Sequence, residues 1–344
     1  MKDSIREKFA AAGVAVPEIL FPDMDLSRWA CVACDQFTSQ PEYWEEAEKY
    51  IGEAPSSLKL MMPEAWLGRK ERAIHEKNIP ETMGCYLRDG VLKNLGPGAV
   101  FVKRETSSGI RRGLLLLLDL SRYEYEPGNK ALCRATEATV EDRLPVRIEI
   151  RRKAPLEMPH VMVLFSDPGD LLMGELDKRT EGEKPLYDFD LMMDSGNIKG
   201  WHLKNEKVLD SIADILLKLK EEAPGGMLYA VGDGNHSLAA AKKCGDRYAL
   251  VELVNLYDEA LVFEPIHRLK KDGRVVDYIH GKEECLRLGS RPGYEAVIMP
   301  DYPKDRLYQD VIEKGVLPKK TFSMGQAKDK RFYLECCLRQ RSEE

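Results

Sequence analysis

Along the chain, apolar runs closed by Gly, Pro, Asp and Ser turns alternate with charged, amphipathic stretches, the pattern of strands interleaved with helices. The unbroken run Leu114 to Leu118 predicts a central strand, because only a strand covered on both faces tolerates five consecutive leucines. Around it, Ala99 to Arg104 and Arg112 to Leu120 predict two strands joined through Thr106-Ser107-Ser108-Gly109, a hairpin signal. Further strands are expected at Ala30 to Ala33, Val161 to Phe165, Leu186 to Met193, Tyr248 to Leu253, Ala260 to Glu264 and Arg331 to Leu334. Helices are expected from Pro41 through Trp44 toward Tyr50, near Arg69 to Lys77, from Val146 to Lys153 and from Lys207 to Leu219, with Pro41 and Pro145 marking helix starts. The expected fold class is mixed α/β, with central mixed sheets flanked by helices.

The segment Met227 to Lys243, MLYAVGDGNHSLAAAKK, carries the most information. An apolar strand ends in Gly-Asp-Gly-Asn-His-Ser and passes directly into an alanine-rich helix. Gly232 and Gly234 allow a sharp turn or a close backbone approach, and the free amides of the helix start, with the positive end of its dipole, suit an anion such as phosphate. Asp233 and His236 add a carboxylate and an imidazole for proton transfer or metal binding. The competing reading is an ordinary N-cap in a glycine turn.

Composition narrows the class. The chain has 344 residues, 43% hydrophobic and 32% charged, enough for one large core or two lobes; the lobes are expected at 1–130, an α/β unit, and 131–344, which carries the corner. No apolar run is long enough to span a membrane, and Met1 to Phe9 lacks the apolar core of a secretory signal, so a cytoplasmic location is expected. A net charge of −6 without a basic tail disfavours nucleic acid. Eight scattered cysteines read as reduced thiols. Cys31 and Cys34 form a C-x-x-C, but on a strand rather than at the helix start a redox pair needs.

Candidate chemistry gathers where elements begin or end. Arg134, Arg143 and Arg268 are arginines beside turns or strand ends, suited to phosphate or to surface ion pairs. Thr136 and Glu137 suit a capping box or a site, and His267, in a His-Arg dipeptide placed after a strand, suits an anion or a bond to a backbone carbonyl. Asp233, His236 and His267 match no compact metal-ligand spacing. His75, His160, His202 and His280 are given no role.

The stretches Ala33-Cys34-Asp35-Gln36-Phe37-Thr38-Ser39-Gln40, Arg134-Ala135-Thr136-Glu137, Asp142-Arg143-Leu144-Pro145, Leu186 to Asp190, Gly232 to His236, Glu264 to Arg268, Val276 to Gly281 and Leu317 to Phe322 cover nearly the whole chain in order. In them the chain resembles the bacterial and archaeal family known as domain of unknown function ten-fifteen. That family's corner is similar to the D-G-H-x-R turn of the ParB/sulfiredoxin-like superfamily, which holds nucleotide phosphates and includes kinases of free L-serine.

The resemblance implies that Asp233 is a catalytic or magnesium-associated carboxylate. It implies further that Gly232, Gly234, Asn235 and Ser237 frame the phosphate, that His236 contacts the transferred group, and that Glu137 assists catalysis. By the same analogy Arg134, Thr136, Arg143, His267 and Arg268 bind nucleotide or phosphate, and Asp35, Gln36, Thr38 and Ser39 line the substrate pocket. Two departures stand out: Ser237 replaces a basic residue that Arg268 or Arg143 would have to supply, and the segment Leu269 to Arg274 is shorter than in relatives. The implied activity is an ATP- and magnesium-dependent kinase of a small hydroxyl compound, with free L-serine as first acceptor. A nucleotide-binding regulatory module without turnover, and a phosphate-ester or nucleotide hydrolase, are the alternatives; a small-molecule substrate and a nucleotide are the expected partners.

Overall fold

The computed structural model describes residues 1–38, 40–139 and 144–342. A ten-stranded mixed sheet organises them. Its path runs Tyr187–Asp190, Asn197–Leu203, Ala99–Thr106, Gly109–Asp119, Tyr248–Asn255, Met162–Phe165, Tyr229–Asp233, Cys133–Ala135 and Tyr123–Glu124, with Val14–Ala15 added alongside Gly109–Asp119. Strands from both sides of residue 130 therefore share this sheet. Most neighbours are antiparallel; Met162–Phe165 runs parallel to Tyr248–Asn255, and Cys133–Ala135 parallel to both Tyr229–Asp233 and Tyr123–Glu124.

The leucine run is central, as its composition predicts: it lies between Ala99–Thr106 and Tyr248–Asn255. Alternation sends Leu114, Leu116 and Leu118 into a core beneath the helices Leu171–Thr180, Glu206–Glu221 and Asn235–Lys243, whereas Leu115 enters a second core with Trp29, Trp44 and Phe332. Both faces are covered, so no polar residue is needed along the run. The predicted hairpin closes where expected, with Thr106 opposite Gly109.

Several boundaries shift. The helix expected from Val146 begins at Leu144, because proline, lacking an N–H, is accommodated within a first helical turn. The strand expected through Met193 stops at Asp190, and Met193 and Asp194 adopt positive φ in the following turn. The larger correction concerns Phe263–Lys271, expected to end at Glu264: it continues for seven more residues, so His267 and Arg268 lie inside a strand, not after one. That strand pairs with Arg274–His280, Tyr294–Val297 and Phe322–Met324 in a separate four-stranded sheet. Asp272 and Gly273, both at positive φ, make its tight hairpin turn, which is how the short segment after Arg268 is closed.

All eight cysteines are free thiols. Burial pushes the Cys34 thiol up to about 12 and raises Cys31 as well, as expected for inert sulfur rather than a redox pair. Among the described residues, no helix is long and apolar enough to cross a membrane.

Candidate functional site

The glycine-rich corner forms as the sequence predicts. The strand Tyr229–Asp233 ends beside Met162, Gly234 turns with φ 82°, and the helix Asn235–Lys243 begins at once. The two glycines serve different needs. A Cβ on Gly232 would stand 2.6 Å from Met324 Sδ and 3.0 Å from Leu164 Cγ, so this position needs space. Gly234 needs the left-handed backbone conformation, and a Cβ there would also meet Val161 at 2.9 Å. Asp233 Oδ1 accepts the Gly234 N–H at 2.9 Å, bracing the turn from within. Asn235, the first helical residue, is 8% exposed, and its Oδ1 has no hydrogen-bond partner among the described residues.

Lys330, a residue without a local sequence signature, reaches the corner from the end of the chain. Its Nζ lies 3.1 Å from Asp233 Oδ2, with the two side chains 6% and 19% exposed. The segment bearing it is held by buried arginines of the hairpin: Arg104 donates to the Lys328 carbonyl at 2.9 Å and Arg111 to the Asp329 carbonyl at 2.6 Å. Arg331, next in sequence, is paired to Glu252 at 3.2 Å and to Glu335. Burial pushes Arg104 down to about 9, the neighbouring Arg111 adding to the effect, while Asp329 and Glu252 oppose it.

Glu137 joins from the other side. Its Oε1 accepts the Lys320 N–H at 3.1 Å, and Leu317 donates to the Thr136 carbonyl at 2.7 Å, tying the two segments together. Burial raises the Glu137 carboxyl; Lys320 and Lys330 oppose that rise and the charge of Asp233 adds to it. Asp233 and Glu137 thus share a field with two lysines.

His160 and His280, to which the sequence assigns no role, also lie within electrostatic reach of this cluster. His160 Nε2 lies 2.7 Å from Ser237 Oγ, and its ring packs against Tyr333 with centroids 5.3 Å apart. Burial lowers its pKa, against the opposing pull of Asp35 and Asp233. His280 lies at the surface, where partial desolvation and the cations Lys330 and Lys320 lower its pKa. For Asp35, burial favours the protonated form, but His160, a 2.9 Å hydrogen bond from Gln36 Nε2, and the two lysines outweigh it and hold the carboxyl below its usual range. Asp35, Glu137, His160, Asp233 and Lys330 are therefore one electrostatic unit, drawn from five distant parts of the chain.

Other expected residues have different places. Arg134 donates to the carbonyls of Ala131 at 3.0 Å and Gly225 at 2.8 Å, so it braces the loop at the opposite end of the Tyr229–Asp233 strand. Thr136 is fully buried and donates to the Val231 carbonyl at 2.5 Å, fastening strands together. His267 is buried, and its Nδ1 accepts the Met299 N–H at 3.1 Å. Its partner is thus an N–H, not the expected carbonyl. Arg268 stacks over Tyr278 at 4.7 Å and donates to the carbonyls of Lys319 and Lys320, at 3.2 and 2.8 Å, so it shapes the loop that presents Lys320. Thr38 is exposed and donates to the Asp35 carbonyl at 3.2 Å. His236, half-buried, sits in the first helical turn. Ser39 and Arg143 lie outside the described residues.

Among the described residues, no three His, Cys, Asp or Glu side chains gather closely enough to form a metal cage. Magnesium does not require one, since it keeps several waters and takes one or two carboxylates along with substrate phosphates.

The family described as "Protein of unknown function (DUF1015)" matches residues 17–336. No curated protein and no solved structure matches the chain.

Proposed function

Because the chain belongs to this family of unknown function, no activity passes to it by descent, and we propose from the site that it is a nucleotide-dependent phosphotransferase acting on a small hydroxyl metabolite. The observation carrying this reading is the Lys330–Asp233 ion pair just before the Asn235–Lys243 helix, with Glu137 and Lys320 within its electrostatic reach. Phosphoryl transfer asks the protein for positioning and charge stabilisation more than for covalent chemistry, and these are the groups it uses. The lysines and the outward amides of the first helical turn would hold phosphate oxygens. Asp233 and Glu137 would hold magnesium, which supplies neutralisation of the phosphate charge when bound. Asp233 would also take the acceptor's proton, and Asp35 would line the acceptor side. ATP is the donor to test first and free L-serine, from the resemblance of the corner, the acceptor.

Phosphorylated product followed by mass spectrometry, across a panel of nucleotides and hydroxyl compounds with magnesium, tests the proposal. The expected result is nucleotide-dependent phosphorylation of an acceptor. Nucleotide binding without turnover would replace it with a regulatory module, and release of free phosphate without an acceptor with a hydrolase.

A further inference from the structure

The contact between Ser237 and His160 is not used by direct transfer from nucleotide to acceptor. Ser237 lies in the first turn of the Asn235–Lys243 helix, and its hydroxyl donates to His160 Nε2 at 2.7 Å in the tautomer that keeps the ring proton on Nδ1. Asp35 lies within electrostatic reach of the same ring, and Tyr333 packs against the ring at a tilt of 57°. A hydroxyl bonded to a neutral imidazole, itself oriented by other groups, is the arrangement that activates serine as a nucleophile. The positive end of the helix dipole, and Lys330 paired to Asp233 four residues before Ser237, bring positive charge to this corner.

We propose that Ser237 is a nucleophile activated by His160 and that it carries the phosphoryl group covalently between donor and acceptor; this rests on the phosphotransferase reading. Ser237 Oγ attacks the terminal phosphorus of a nucleoside triphosphate, the bond to the bridging oxygen breaks, the nucleoside diphosphate leaves, and the hydroxyl proton passes to His160 Nε2. The acceptor hydroxyl then attacks phosphoserine 237 and gives its proton to Asp233. As the P–Oγ bond breaks, His160 returns its proton to Oγ, restoring both residues; the proton on Asp233 is released to solvent.

Two experiments on the full chain separate this inference from the reading it rests on. The first needs no nucleotide: wild type and His160→Gln are treated with a fluorophosphonate probe, and the adduct is mapped by peptide mass spectrometry. Labelling of Ser237 is expected, slowed about 10²- to 10⁴-fold in the variant, with an unchanged thermal midpoint confirming its fold. No adduct on Ser237, or equal labelling in both proteins, overturns the activated nucleophile whatever the protein's substrate. The second uses γ-labelled ATP and acid quenching, where wild type should yield acid-stable phosphoserine at position 237 and Ser237→Ala should lose acceptor phosphorylation. Undiminished turnover in Ser237→Ala removes the covalent carrier but leaves the kinase. An adduct on Ser237 with no phosphorylated product from any nucleotide removes the kinase, and with it the carrier, but leaves the nucleophile.

Discussion

Lys330 Nζ and Asp233 Oδ2 lie 3.1 Å apart, joining the end of the chain to the glycine-rich corner 97 residues earlier in an ion pair withdrawn from solvent. Its position makes Asp233 the decisive residue of the proposed site. Asp233→Asn retains a side chain that can brace the turn but removes the charge, so turnover should fall roughly 10²- to 10⁴-fold. Nucleotide affinity should change by far less. Parallel measurement of product formation and nucleotide binding checks this, and equal turnover in both proteins would return Asp233 to a bracing role.

Removing the cation should have the opposite signature. Lys330→Met keeps much of the side-chain volume while deleting a charge-assisted contact to phosphate, of the kind worth about 1.5–3 kcal/mol. Nucleotide affinity should therefore weaken by roughly ten- to a hundredfold. Titration calorimetry reads this directly, and unchanged affinity would exclude Lys330 from the phosphate site.

The buried network behind Lys330 predicts a stability effect. Arg331 is fully buried between Glu252 and Glu335, so Arg331→Met leaves Glu335 without this cation and Glu252 with the more distant Arg111, 3.7 Å away. Breaking a buried pair by removing one partner typically costs about 3–5 kcal/mol. Urea denaturation should show a loss of that order, and a loss below about 1 kcal/mol would mean that Arg111 compensates.

At Gly232 the obstacle to a side chain is the flexible end of Met324, with Leu164 behind it. Gly232→Ala should destabilise by about 1–3 kcal/mol through overpacking. Adding Met324→Ala should recover part of the loss, a coupling readable in a double-mutant cycle of thermal midpoints. Strictly additive effects would contradict the contact.

His202 is pushed down to about 4, from an ordinary value near 6.5, with desolvation the leading cause. Between those values the unfolded chain binds more protons than the folded one, so its contribution to stability is present above pH 6.5 and is lost as pH falls toward 4. Denaturation midpoints should decline across that window. His202→Gln should flatten the decline, and an NMR titration placing the His202 imidazole near 6.5 would refute the shift.

The elements that the chain encodes locally were legible in it. Five consecutive leucines can only suit a strand covered on both faces, and Thr106 to Gly109 lie between two runs of strand period, so the central hairpin follows from composition and spacing. Gly232 and Gly234 between an apolar run and an alanine-rich segment determine a strand, a turn and a helix. The Asp272-Gly273 turn was equally legible, and it would have placed His267 and Arg268 within a strand.

Tertiary structure alone decided what surrounds the corner. Antiparallel pairing of Met162 with Asp233 carries His160, two residues upstream, past the strand end to Ser237; no pattern near Pro159 or Val161 records that meeting. Arg134 and Thr136 looked like ligands because they are polar and lie beside a turn, but the same groups satisfy backbone carbonyls that burial would otherwise leave unpaired. Lys330 reads as one lysine among many until Arg104, Arg111 and Arg331 fix its segment against the hairpin and direct its charge to Asp233. Local periodicity reports which face of an element is buried, whereas the pairing of charges across distant segments depends on strand register and packing that no single window of sequence contains.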